Sequence, residues 1–128
     1  MILGAGLDAF AWRQPGGVKV FEIHHPAMLA FKRQRLRTLG AREPDGLVWE
    51  PAHVEAEPVG EVLKRAGLTS AQTFVNWVGV SSYLSKPAIE ATLRSLPPGL
   101  VAITHTAPVG QSGPSPGVSL ALKELAGE

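Results

Sequence analysis

Residues 1–8, Met1-Ile2-Leu3-Gly4-Ala5-Gly6-Leu7-Asp8, carry the signal from which the rest of the chain is read. An apolar pair runs into two glycines separated by one small residue, and an acidic side chain follows. Glycine accepts positive φ and lets the backbone approach a neighbour or ligand closely, so Gly4-Ala5-Gly6 reads as a strand-to-helix turn. A buried central strand usually runs about 5–6 residues. Only Met1-Ile2-Leu3 precede the turn. The first strand is therefore expected to be very short, or sequence upstream of it to be missing.

Beyond the turn, strand-like and helix-like segments alternate. Ala5 to Trp12 reads as the turn and a first helical stretch. Val18 to Ile23, between Gly16-Gly17 and Pro26, is β-rich and reads as a second strand. Pro26 to Leu39, followed by Gly40, has the proline-first, glycine-last asymmetry of a helix. Leu47-Val48-Trp49 is a short third strand, and Val59 to Ala66, closed by Gly67, a helix with Val59, Val62, Leu63 and Ala66 on one face. Thr73 to Val78 is the most apolar run and reads as a buried parallel strand. Lys86 to Leu96 reads as a helix that Pro97-Pro98-Gly99 ends, and Leu100 to Thr104 as a fifth strand. Gly, Ser and Pro then dominate up to Gly117, with Val118 to Ala126 expected as a last short helix. The pattern predicts an α/β fold: a doubly wound, mostly parallel, Rossmann-like sheet of about five strands. The core is expected over residues 1–108, with a Gly/Pro/Ser-rich linker and short C-terminal helix over 109–128.

Bulk composition narrows the function. Hydrophobic residues make up 45% and charged residues 18% of 128, as in a globular domain. A formal net charge of +1 gives no bulk argument for nucleic acid or an acidic membrane surface. The basic cluster Lys32-Arg33-Gln34-Arg35-Leu36-Arg37 reads as the solvated face of a helix. The absence of cysteine excludes disulfides and thiolate chemistry. No apolar run approaches the roughly 20 residues of a membrane span, and no secretory signal is visible, so a cytoplasmic location is expected.

In a doubly wound sheet, ligands bind outside the carboxyl ends of the strands. Glu22, near the end of the second strand, is suited to accept hydrogen bonds from both hydroxyls of a ribose. Gly4-x-Gly6-x-x-Ala9 also matches the dinucleotide fingerprint, with Glu22 close to the expected distance. The residues thus point to a nucleoside-containing cofactor, and spacing alone leaves open a nicotinamide dinucleotide or S-adenosylmethionine.

The wider set of motifs resembles one family. Leu3-Gly4-Ala5-Gly6-Leu7-Asp8 with Ala11-Trp12-Arg13 resembles the first motif of the leucine carboxyl methyltransferase-like family. Val20-Phe21-Glu22-Ile23, His25-Pro26-Ala27, Phe31-Lys32-Arg33 and Leu36 resemble its second. Phe74, Trp77-Val78-Gly79-Val80 and Tyr83-Leu84 resemble its fourth-strand signature, as in the actinobacterial methyltransferases. Ala88 to Leu93 and Leu96-Pro97-Pro98-Gly99 continue the likeness, which spans residues 2 to 108. The resemblance implies a class I methyltransferase core and S-adenosyl-L-methionine as cofactor. It implies Gly4 and Gly6 beside the methionine part, with Asp8 and Arg13 shaping that pocket, although Asp8 equally suits a helix-start cap. The implied reaction is methylation of an oxygen, with nitrogen as the alternative, of a small-molecule or carboxylate-bearing acceptor; charge and hydropathy lead to no expectation of a nucleic-acid or membrane partner. No catalytic proton-transfer residue is identifiable; Ser81 and Tyr83 follow the fourth strand, where acceptor contacts are expected. A degenerate non-catalytic member and a dinucleotide-binding oxidoreductase fragment are the competing readings.

Two positions depart from the family pattern. The aspartate expected on the ribose side is His24, and the Asp-Leu or Asp-Phe pair expected beside the adenine is His53-Val54. A charge-assisted hydrogen bond is worth roughly 1.5–3 kcal/mol and a neutral one about half, so losing both carboxylates is expected to weaken binding. Glu22 and Glu55, each two residues away, are candidates to compensate. His24, His25 and His53, with His105 further along the sheet, do not form a known metal motif, and no metal is expected. Family members are longer at both ends, so the chain is expected to be a truncated member, with its core incomplete at both ends.

Overall fold

In the computed structural model, which describes residues 1–68, 73–105 and 119–125, strand β1 is only Ile2–Leu3. It lies inside a sheet with strands β2 (Val20–His24), β3 (Leu47–Pro51), β4 (Thr73–Trp77), β5 (Gly99–His105) and β6 (Ser119–Leu125). The order is β3-β2-β1-β4-β5-β6. The first five strands are mutually parallel, and β6 runs antiparallel along β5. Parallel neighbours require crossover connections. These carry helices α1 (Phe10–Arg13), α2 (Pro26–Thr38), α3 (Val59–Arg65) and α4 (Lys86–Ser95). This is the doubly wound α/β architecture expected, with its order reversing between β1 and β4.

Two elements differ from the sequence reading. The segment 118–126, expected to be a helix, contains β6, which pairs from Gly99↔Leu125 to His105↔Ser119. Leu, Ala, Lys and Glu favour helix in isolation, but β5 would otherwise be a sheet edge, and its open hydrogen-bonding groups override that preference. The helical stretch expected from Ala5 is reduced to α1, because Gly6 takes φ +51 and the Asp8 carboxylate accepts the Phe10 N–H at 2.6 Å, so regular helix starts only after it. The linker expected from residue 109 lies, up to residue 118, outside the described residues.

Side-chain alternation sorts the strands onto two faces. Leu3, Ile23, Val75, Trp77 and Val101 point to one, where Val59, Val62 and Leu63 of α3 and Leu96 beyond α4 close the main core. Ile2 and Val20 point to the other, against Ala5, Ala11 and the half-buried Trp12 and Leu47. Glu22 and His24 share that second face with Val20. Phe74, on the same face further along the sheet, is left 55% exposed.

Candidate functional site

Gly4 and Gly6 lie where β1 ends, at the reversal of strand order, with φ +66 and +51. That is the crevice where doubly wound sheets hold ligands. The turn is fastened to β2: the Gly4 and Ala5 N–H groups donate to the Ile23 carbonyl at 2.8 and 3.3 Å. Val80, past the end of β4, fills the other side. A Cβ on Gly4 would fall well inside contact with the Val80 methyls, whereas one on Gly6 would meet only the Gly4 carbonyl at 3.8 Å.

The end of β2 is organised around a sealed polar cluster. Glu22 is fully buried, and its Oε2 accepts from the Lys32 ammonium at 2.6 Å and lies 2.8 Å from His24 Nε2. Lys32 also donates to the Asp8 carbonyl at 2.6 Å and lies over the rings of Trp12 and Trp49. His24 is as buried as Glu22 and packs against Trp49 with ring centroids 5.4 Å apart. Glu22 Oε1 and His24 Nδ1 are buried without hydrogen-bond partners. Neither side chain reaches the surface at the strand end. The carboxylate expected to meet a ribose instead anchors α2 to the sheet, and Lys32, expected on a solvated face, is its buried counter-ion.

The exposed polar groups at this end are two other imidazoles. His25 caps α2, its Nδ1 accepting the Ala27 N–H at 3.3 Å, and its ring meets that of His53 edge-on with centroids 4.6 Å apart. Both histidines are exposed, and Val54 beside them is half-buried. Glu55 points elsewhere: its carboxylate accepts the Ser85 N–H at 3.3 and 3.4 Å, at the start of α4. Glu57 accepts the His53 N–H at 2.9 Å and faces Arg65. The His53 N–H, with Arg65 behind it, holds the Glu57 carboxyl below the usual carboxylate range. Its acidic partners, Glu50 first, raise the Arg65 guanidinium above its ordinary value. Among the described residues, no group of three His, Asp or Glu side chains is arranged to hold a metal ion.

Asp8 and Arg13 face a groove bordered by the amino-terminal ends of β2 and β4. The Asp8 carboxylate accepts the Phe10 N–H just ahead of α1, whose cap residue is Ala9, and lies 4.0 Å from Arg13. Both residues line this open groove of about 670 Å³ on the sheet face, with Ile2, Phe10, Phe74 and Asn76. Beyond the fourth strand, Ser81 is buried and Tyr83 is 85% exposed on a single 3₁₀ turn, Ser81–Tyr83. Sequence reasoning missed Lys32, Trp49, Arg65 and Val80. Lys32 had one usable signal, a cation ten positions after an acid that a strand would bury, and Val80 lies within the fourth-strand signature without a role of its own; Trp49 and Arg65 had none.

The profile of the family described as "Leucine carboxyl methyltransferase" matches residues 1–96. Two curated relatives are each described as a "Putative S-adenosyl-L-methionine-dependent methyltransferase". One, YktD of Bacillus subtilis strain 168, is 31% identical over 106 residues, covering 77% of this chain and 35% of that protein. The other, from Mycolicibacterium paratuberculosis, is 36% identical over 100 residues, covering 75% of this chain and 31% of that protein. The chain thus spans about a third of the length of these relatives.

Proposed function

Because the chain belongs to the leucine carboxyl methyltransferase family, we propose that it is the cofactor-binding part of an S-adenosyl-L-methionine-dependent methyltransferase acting on an oxygen of a small-molecule or carboxylate-bearing acceptor. The observation that carries this reading is the Gly4-Ala5-Gly6 turn at the switch point of a β3-β2-β1-β4 sheet.

The residues fit the two ends of this cofactor unequally. At the amino-acid end, the positive-φ glycines let the backbone come close to a ligand, and no side chain stands on Gly6. At the nucleoside end, Glu22 is sealed by Lys32 and His24, so its carboxylate does not face a ribose. Exposed His25 and His53 border that end, with Val54 supplying apolar surface. When bound, the cofactor supplies a methyl group on a sulfonium, already a good leaving group. The chain's own contribution is orientation: the glycine turn sets one end and the β3–α3 turn the other. The match of residues 1–96 to the family profile, and not Glu22, favours this cofactor over a dinucleotide.

Calorimetric titration with S-adenosylhomocysteine tests the proposal. Binding in the micromolar range is the expected result. Absence of heat at millimolar ligand would overturn it in favour of a non-catalytic member of the family.

A further inference from the structure

We propose that Arg65 is a positioning residue: its guanidinium fixes the His53–Glu57 turn in the shape that borders the nucleoside end of the cofactor site. The inference rests on the methyltransferase reading above.

Arg65 is the last residue of α3 and reaches back across the connection from β3. Its Nε donates to Glu50 Oε1 at 2.5 Å and its Nη2 to the Pro51 carbonyl at 3.1 Å, both at the end of β3. Nη1 and Nη2 both donate to Glu57 Oε2 at 3.3 Å. One planar fork therefore joins the strand end to the far end of the turn. The other oxygen of Glu57 accepts the His53 N–H at 2.9 Å. The Ala56 and Glu57 N–H groups both donate to the His53 carbonyl, at 2.8 and 2.7 Å. Hydrogen bonds thus run without a break from the guanidinium to the backbone on both sides of His53, whose ring meets His25.

Exposed ion pairs contribute little to stability one by one. The arrangement matters for geometry, because four hydrogen bonds leave three separate nitrogens of one rigid plane, a span that the single nitrogen of an ammonium cannot cover. A purely structural account would need only a cation at the C-terminal end of α3, where it suits the helix dipole. Lys64 already supplies one. Glu55, tied to Ser85, tethers the same turn on its other side.

The experiment compares the natural chain with Arg65→Lys, Arg65→Met and Glu57→Gln, by titration with S-adenosylhomocysteine and by backbone amide hydrogen exchange. Each variant is expected to weaken binding on the order of tenfold, since small misplacements of a binding element are costly. Exchange should quicken at the amides of residues 53, 56 and 57, while those of Ile23 and Val75 keep their protection. If Arg65→Lys binds as tightly as the natural chain with unchanged exchange at the turn, a cation at the helix end suffices and the inference is overturned. Should Arg65→Met not fold, Arg65→Lys and Glu57→Gln decide. A natural chain that itself takes up no ligand at millimolar concentration overturns the methyltransferase reading and this inference with it. That outcome is distinct from one confined to the variants.

Discussion

The ammonium of Lys32 lies 2.6 Å from the carboxylate of Glu22, with the two side chains only 4% and 0% exposed. The pair joins α2 to the middle of β2 and takes up the acid that a ribose-binding role would need at the surface. A buried charge left alone is far more costly than a buried pair. Lys32→Met should therefore destabilise the chain by roughly 3–5 kcal/mol in urea unfolding. Adding Glu22→Gln should recover a large part of that loss. Equal stability of the single and double variants would show that Glu22 finds another partner.

Gly4 and Gly6 are distinguished by what surrounds them, since both hold positive φ. Alanine in a left-handed conformation costs roughly 1–2 kcal/mol. Gly6→Ala should cost about that and no more, because its new methyl meets nothing closer than the Gly4 carbonyl. Gly4→Ala adds a clash with Val80 and should cost more, with overpacking typically worth roughly 1–3 kcal/mol further. Val80→Ala in the Gly4→Ala background should relieve the clash and leave the backbone part. Thermal unfolding of the four proteins separates the two contributions.

What can be read from the sequence follows from where local signals and tertiary demands agree. Pro26 and Gly40 bracket α2, and Pro97-Pro98-Gly99 separates α4 from β5, because these residues act through their own backbones. Lys32 is misread because charge pattern alone treats a cation as solvated, and burial depends on an acid brought from β2. Strand β6 is misread because Leu120, Leu122 and Leu125 satisfy a strand or a helix spacing equally, and the unpaired edge of β5 decides. The Gly4 turn is legible as chemistry, whereas the inward aim of Glu22 and His24 depends on a strand face that sequence spacing alone leaves open.

The amino group of Met1 takes the place of a ladder amide. It donates to the Phe74 carbonyl at 2.8 Å, and the Met1 carbonyl accepts the Asn76 N–H at 2.9 Å. Burial disfavours its charged form and lowers it from its ordinary value of 8.0. Between the lowered value and 8.0, the unfolded chain holds a proton that the folded chain lacks, so stability should rise with pH across that window and level off above it. Acetylating the amine removes the charge and keeps one N–H donor. The acetylated chain should lose this part of the pH dependence, seen as a converging difference in melting temperature from the free chain as pH passes above 8.0. A difference that does not change with pH would place the amine in water.

His24→Asp places a carboxylate near the end of β2, and the buried cluster determines its consequences. His24 Nε2 supplies one of the hydrogen bonds to Glu22 Oε2, so its loss leaves Lys32 as that oxygen's remaining partner. A second carboxylate beside Glu22 would be repelled from the interior and should turn toward the strand end, next to His25. Stability should fall by roughly 1–3 kcal/mol, the range for an under-satisfied buried polar group. Affinity for S-adenosylhomocysteine should rise about tenfold or more, since the ligand gains a charge-assisted hydrogen bond, worth roughly 1.5–3 kcal/mol, that the buried His24 does not make. The two effects have opposite signs, so unfolding and calorimetry on one protein sample separate them. If affinity does not rise while stability falls as expected, the introduced carboxylate remains turned into the Glu22 cluster, and the nucleoside end depends on His25 and His53 alone.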